Sequence, residues 1–156
     1  MKAVIGIDPG TSKTSPGAMA LIAADGSIET LDWIDGPTMA AKMLEWKQDY
    51  SLEHAILERV HAMPKQGVSS TFKLGENFGF WQGLLCSFGI PFETVPPQKW
   101  MQTFSLKKSG PTDKPGLPCA RQLFPAAELH LKKHSGRADG LLMAEHGRRT
   151  TNAFRA

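Results

Sequence analysis

The stretch that most limits how this chain can fold is residues 3–10, Ala-Val-Ile-Gly-Ile-Asp-Pro-Gly. The run from Ala3 to Ile7 is apolar and carries β-branched residues, which predicts a short buried strand. Pro9-Gly10 then forces the chain out of the sheet. Asp8 stands at the carboxyl end of that strand, where a buried carboxylate is costly unless it is paired, hydrogen-bonded or bound to a cation. Capping the following turn would satisfy it. So would a role as an inner metal ligand or as the acid of a phosphate site, and the rest of the chain must decide between these.

Residues 17–24 read as a second strand, and Asp25-Gly26 is a hairpin signal. Residues 27–34 follow as a third strand, with Ile28, Thr30, Asp32 and Ile34 on one side. A helix is expected over residues 37–50, where Met39, Met43 and Trp46 recur at helical spacing beside Ala40. The short apolar run Ala55-Ile56-Leu57 marks a fourth strand over residues 53–58, again ending in a carboxylate, Glu58. After a loop over residues 59–70, the helix of residues 71–88 shows one apolar seam of Leu74, Phe78, Trp81, Leu85 and Phe88. Gly75, Gly79 and Gly83 form a second line one turn apart. Interior glycines cost a helix about 1 kcal/mol each relative to alanine, so this line predicts a close backbone neighbour. The sheet of the same chain is the default neighbour, and the same helix of a second subunit is the alternative.

A fifth strand is expected over residues 91–95 and a short helix over 96–104. Residues 105–118 form a loop rich in Lys, Gly and Pro, followed by a helical piece over 119–124. A last helix over residues 135–148 has Ala138, Leu141, Leu142 and Glu145 at helical spacing, and the tail after Arg149 is expected to fray. The hairpins followed by crossover helices predict an α/β domain, a mixed sheet flanked by helices. The first strand would be central, with the fourth parallel beside it. Asp8 and Glu58 then end side by side, and the last helix can bring Asp139 to the same spot.

At 156 residues the chain fits a single domain, 1–156. It has no apolar run long enough to cross a bilayer, so no membrane association is expected. Cys86 and Cys119, far apart and without a paired motif, read as free thiols of a reducing cytoplasm. The net charge of +3 is unevenly spread: residues 1–104 sum to −3 and residues 105–156 to +6. A basic C-terminal third suits a polyanionic partner. Three clustered carboxylates repel one another without a cation. All-oxygen ligands suit Mg²⁺ or Mn²⁺, which also take phosphate oxygens and can assist phosphodiester hydrolysis.

Three motifs, Gly6-Ile7-Asp8-Pro9-Gly10, Leu57-Glu58-Arg59-Val60 and the run from Gly136 to Ala144 around Asp139, together resemble the active-site motifs of RuvC-type Holliday-junction resolvases. The likeness is greatest to the bacteriophage and organellar branch, and it extends to the segments 78–83, 95–100 and 123–125. The resemblance implies a ribonuclease H-like fold with a five-stranded mixed sheet. It also implies a homodimer formed through helix 71–88 that nicks opposing strands of a four-way DNA junction in bacterial or phage-infected cytoplasm. By that pattern Asp8, Glu58 and Asp139 are catalytic metal ligands for Mg²⁺ or Mn²⁺. Lys107, Lys108 and Lys114 face the phosphates, Arg137 also contacts DNA, and the loop with His61 and Lys65 approaches the junction. His61 stands where some relatives have an aromatic residue.

One position departs from the pattern. Four residues before the last acid this branch commonly has Asp, and here Ser135 occupies that catalytic position, with His134 adjacent as a possible substitute ligand. Serine there also reads as a helix N-cap. A junction-binding protein that no longer cuts and a nuclease for RNA–DNA hybrids are therefore alternatives. So is an actin-like ATPase, whose first phosphate loop resembles residues 6–12, although such enzymes need two such domains. His130 and His134 have helical ligand spacing but no cysteine pair to complete a zinc site, and Trp33, Trp46 and Trp100 read as core.

Overall fold

The computed structural model describes residues 1–10 and 15–155. Its five strands are β1 (Lys2–Asp8), β2 (Ala18–Ala23), β3 (Ile28–Asp32), β4 (Ser51–Glu58) and β5 (Phe92–Val95). They form one sheet in the order β3-β2-β1-β4-β5. β1 is antiparallel to β2 and parallel to β4, and β4 is parallel to β5. The expected central place of β1 and its parallel neighbour are therefore found. Both faces of β1 are covered, which is why Ala3 to Ile7 are all buried.

On one face lie α1 (Gly36–Asp49) and α2 (Val68–Ser87). Asp35 caps α1, its carboxylate accepting the Thr38 N–H at 2.7 Å. Met39, Met43 and Trp46 of α1 and Trp81 and Leu85 of α2 pack against Ile5, Ile7, Met19, Leu21 and Leu57. On the other face lie α3 (Pro97–Gln102), α4 (Gly116–Leu123) and α5 (Ser135–Thr150), the last preceded by a single 3-10 turn (Lys132–His134). Here Leu141, Leu142 and Ala144 meet Val4, Ala20, Ile22 and Ile56.

α5 lies on the sheet almost backbone to backbone. A Cβ added to Gly6 would fall 1.9 Å from the Gly140 carbonyl oxygen, and one on Gly140 would meet Ala20 at 3.2 Å. The small residues 136, 140, 144 and 147 recur every turn of α5 and make this approach possible.

Four expectations are corrected. The line Gly75, Gly79 and Gly83 of α2 meets nothing within 4 Å among the described residues, so the sheet is not the neighbour it was expected to have. The helix after the basic loop starts at Gly116 rather than at 119, because a proline in a first helical turn removes only an N–H that has no intrahelical partner. Ser135 is not the N-cap: the 3-10 turn moves that position to His134 and makes Ser135 the first residue of α5. The tail does not simply fray, since Ala153 and Phe154 pack against the α5-side core.

Candidate active site

Asp8 and Glu58 close the parallel neighbours β1 and β4, so the carboxyl ends of both strands deliver an acid to the same end of the sheet. Asp139 comes from the second turn of α5, held there by the Gly6–Gly140 contact. The three carboxylates line one cavity of about 230 Å³ together with Trp100, Lys108 and Lys114. The Asp8 carboxylate accepts the Gly10 N–H at 2.9 Å. Gly10 has φ +73°, and a Cβ there would strike the Pro16 carbonyl, so the turn that bends back to Asp8 requires glycine. Asp8 thus caps its turn, and the same residue lines the cavity.

Glu58 is oriented by the Trp100 indole, whose N–H donates to Oε2 at 2.7 Å. Burial, then the charge of Asp8, pushes the Glu58 carboxyl up to about 7. Burial raises Asp8 as well, against the Gly10 hydrogen bond and the charges of Lys114 and Lys108. Asp139 is raised well above the usual carboxylate range by burial, by Asp8 and by Glu58. Three half-buried acids therefore outnumber the charges that Lys108 and Lys114 offer them. Hard oxygen donors with this charge excess fit a divalent cation such as Mg²⁺ or Mn²⁺. Among the described residues no three His, Cys, Asp or Glu side chains already converge as a ready-made ion cage. The acids line the cavity wall, and mutual repulsion opposes their drawing together without a cation.

The other expected residues are scattered by comparison. Lys107 is exposed at the start of the basic loop and does not line the cavity. His61 and Lys65 are exposed in the loop between β4 and α2. Arg137 makes a structural tie: its guanidinium grips Asp32 of β3 through two 2.8 Å bonds and reaches Glu128 at 3.6 Å. Ser135 and His134 do not line the cavity. His134 is buried, its Nδ1 faces the Leu131 N–H at 3.3 Å, and its ring meets that of His130 edge-on. It is therefore not placed as the fourth ligand. Thr11 and Ser12, which carry part of the resemblance to a phosphate loop, lie outside the described residues.

Trp100 and Gly116 were not legible as site residues. Trp100 is buried, as a core residue should be, yet its one polar atom is bonded to Glu58. A second groove, between β3 and α1, is wider at about 590 Å³. Its Glu29 is already bonded by Trp46, Tyr50 and Lys42, so it lacks the charge excess of the acid cavity.

No family model and no curated protein sequence matches this chain. Solved structures do. RuvC of Thermus thermophilus in complex with a Holliday junction substrate superposes with a TM-score of 0.65 at 17% identity, over 98% of each chain. Thermus thermophilus RuvC alone gives 0.60 at 17% identity, over 94% of this chain and 95% of that one. The Fowlpox virus resolvase, in complex with Holliday junction DNA, gives 0.53 at 13% identity, over 96% and 99%. The fold is the ribonuclease H-like fold of these resolvases, a five-stranded mixed sheet flanked by helices.

Proposed function

We propose that this chain is a RuvC-type resolvase, a divalent-metal-dependent endonuclease that cuts branched DNA at four-way junctions by paired nicks. The observation that carries the reading is the meeting of Asp8, Glu58 and Asp139, from β1, β4 and α5, in one cavity flanked by Lys108 and Lys114. The solved structures of the same fold that hold Holliday junction DNA support the substrate class.

Asp8, Glu58 and Asp139 would hold Mg²⁺ or Mn²⁺, which supplies charge stabilisation and an activated water for phosphodiester hydrolysis. The chain's own residues do the rest. The Trp100 indole fixes one Glu58 oxygen and leaves the other free to face the cavity. Lys108 and Lys114 attract and seat the phosphate, and their charge opposes the repulsion between the acids and the DNA backbone. The exposed loop with His61 and Lys65, and the exposed Lys107 next in sequence to Lys108, would extend the same contact outward.

Paired nicks need two sites, and α2 supports a homodimer. Its buried side anchors Leu74, Trp81 and Leu85, while Gly75, Gly79 and Gly83 are uncovered and Val68 and Phe72 are 89% and 70% exposed. A second copy of α2 packing on that line would explain glycines that otherwise only weaken the helix.

The test is incubation of purified protein with a synthetic four-way junction, a linear duplex and an RNA–DNA hybrid, each with Mg²⁺, with Mn²⁺ and with chelator. Paired, metal-dependent nicks in the junction are expected, lost in Asp8→Asn while junction binding persists. Preferential cutting of the hybrid would instead make the chain a ribonuclease. A second reading, a junction binder with weakened cleavage, is favoured by one observation: no fourth acid stands on the Asp139 face of α5, where Ser135 occupies the first helical position.

A further inference from the structure

We propose that the segment 97–117 acts as a clamp that positions two of the three acids, with Trp100 holding Glu58 and Gly116 reserving the space that Asp139 fills. The inference rests on the metal-site reading of the acids and goes beyond it, since neither residue would itself touch a cation.

Two separate contacts carry it. Trp100 of α3 is 3% exposed, and its indole N–H donates to Glu58 Oε2 at 2.7 Å. A glutamate has three side-chain torsions, so without a fixed partner its carboxylate would sample the cavity broadly. The indole takes one acceptor position and leaves the remaining lone pairs for the cavity. At the other end of the segment, Gly116 opens α4 directly against Asp139. A Cβ on Gly116 would lie 2.3 Å from Asp139 Oδ1 and 3.5 Å from its Cγ. The α5 backbone has no room to retreat, because Gly140 already meets Gly6 and Ala20. A side chain at 116 would therefore rotate the short Asp139 carboxylate out of place rather than move the helix.

Between these anchors runs the loop with Lys108 and Lys114. The loop is braced internally by Asp113, whose carboxylate accepts from both the backbone N–H and the hydroxyl of Ser109, at 2.9 and 3.0 Å. The lysines that face the cavity and the supports of Glu58 and Asp139 thus belong to one continuous piece of chain. A displacement of that loop would reach the acids through both anchors.

The readout is Mn²⁺ affinity of the DNA-free protein, measured by titration calorimetry on the wild type, Trp100→Phe, Gly116→Ala and Asp8→Asn. Thermal midpoint and junction binding in chelator are followed in parallel. Trp100→Phe keeps an aromatic ring but loses the five-membered half of the indole with its N–H. A loss of Mn²⁺ affinity of about ten-fold or more is expected in each clamp variant. Each variant should still unfold in one cooperative transition above the assay temperature, junction binding should persist, and raised Mn²⁺ should restore cleavage. Wild-type affinity in both variants would overturn the clamp while leaving the metal site standing. Failure of the wild type to bind Mn²⁺, with Asp8→Asn no different, would overturn the metal reading and the clamp with it. If Gly116→Ala does not fold, Trp100→Phe decides alone.

Discussion

Two helices of this protein carry the same pattern and use it in opposite ways. α5 repeats small residues at 136, 140, 144 and 147, and α2 repeats glycine at 75, 79 and 83. The α5 line is pressed on the sheet, with Gly140 against Gly6 and Gly147 against Ile56. The α2 line faces nothing within 4 Å among the described residues. The α5 contact sets how deeply Asp139 reaches toward Asp8, so there the pattern builds the site. On α2 the pattern leaves a bare stripe while the opposite side anchors the helix. A glycine line in a sequence announces a close approach without saying to what, and only the placement of each helix on the sheet separates the two fates.

The largest expected effect breaks the α5 side. Gly6→Ala puts a methyl group on the Gly140 carbonyl, where backbone meets backbone and neither side chain can yield. Overpacking of this kind should cost about 3 kcal/mol or more, a large part of the stability of a domain this size. Chemical denaturation should show that loss. A Gly6→Ala protein as stable as the wild type would mean that α5 sits farther from β1 than described, and Asp139 farther from Asp8.

Next comes the charge that α5 brings to the site. Burial raises the pKa of Asp8, Glu58 and Asp139, in each case as the largest cause. At low pH these groups are protonated in both folded and unfolded chains and contribute nothing to pH dependence. As pH rises, the unfolded chain releases the Glu58 proton first, near its ordinary value of 4.5, while the fold holds it until about 7. The metal-free fold therefore loses stability between about pH 4.5 and 7, the reverse of a salt-bridged carboxylate. For Glu58 alone the loss is about 3 kcal/mol. Glu58→Gln should flatten the fall of the thermal midpoint and leave a more stable metal-free protein at pH 8. A midpoint that climbs from pH 5 to pH 8 without metal would show that the acids are not held together as charges.

Much of this was legible because it follows from local rules. Strand ends placed Asp8 and Glu58, helical spacing placed Asp139, and the chain order gave β1 its central place beside a parallel β4. The supports were not legible, because Trp100 meets Glu58 across 42 residues of chain and a tryptophan at helical spacing reads only as core. Gly116 was hidden in a proline-rich stretch that looked like loop. Ser135 was read as a cap because serine caps helices well, and the 3-10 turn from Lys132 to His134 shifted the cap by one residue. The tie of Arg137 to Asp32 was hidden because the two are 105 positions apart in sequence.

The α2 side can be sharpened with smaller changes. Gly79→Ala should stabilise the isolated helix by about 0.5–1 kcal/mol, because none of the described residues stands in the way. Gly79→Leu should be tolerated by the monomer and should prevent close packing of two α2 helices. Sedimentation at micromolar concentration is expected to show dimers for the wild type and monomers for Gly79→Leu. Dimers that survive the leucine would move the subunit interface away from this stripe.

The smallest stability effect belongs to the first turn of α5. Ser135 adopts helical dihedrals, with φ −58° and ψ −35°, so residues 135 and 139 are one turn apart and share a face. An acid at 135 would stand over the N-terminus of α5, where the helix dipole favours it by about 0.3–1 kcal/mol. Ser135→Asp should therefore raise the thermal midpoint slightly rather than lower it. The larger consequence is chemical. A fourth carboxylate on the Asp139 face adds a hard anionic ligand, and hard divalent cations bind more tightly as ligand charge grows. We expect slow junction cleavage by the present sequence in Mg²⁺, and a higher rate together with tighter Mn²⁺ binding in Ser135→Asp. His134 offers no substitute, since it is buried with its Nδ1 turned to the Leu131 N–H. Rapid cleavage by the unaltered chain, unchanged or slowed by Ser135→Asp, would show that three carboxylates suffice and that position 135 has no part in holding the cation.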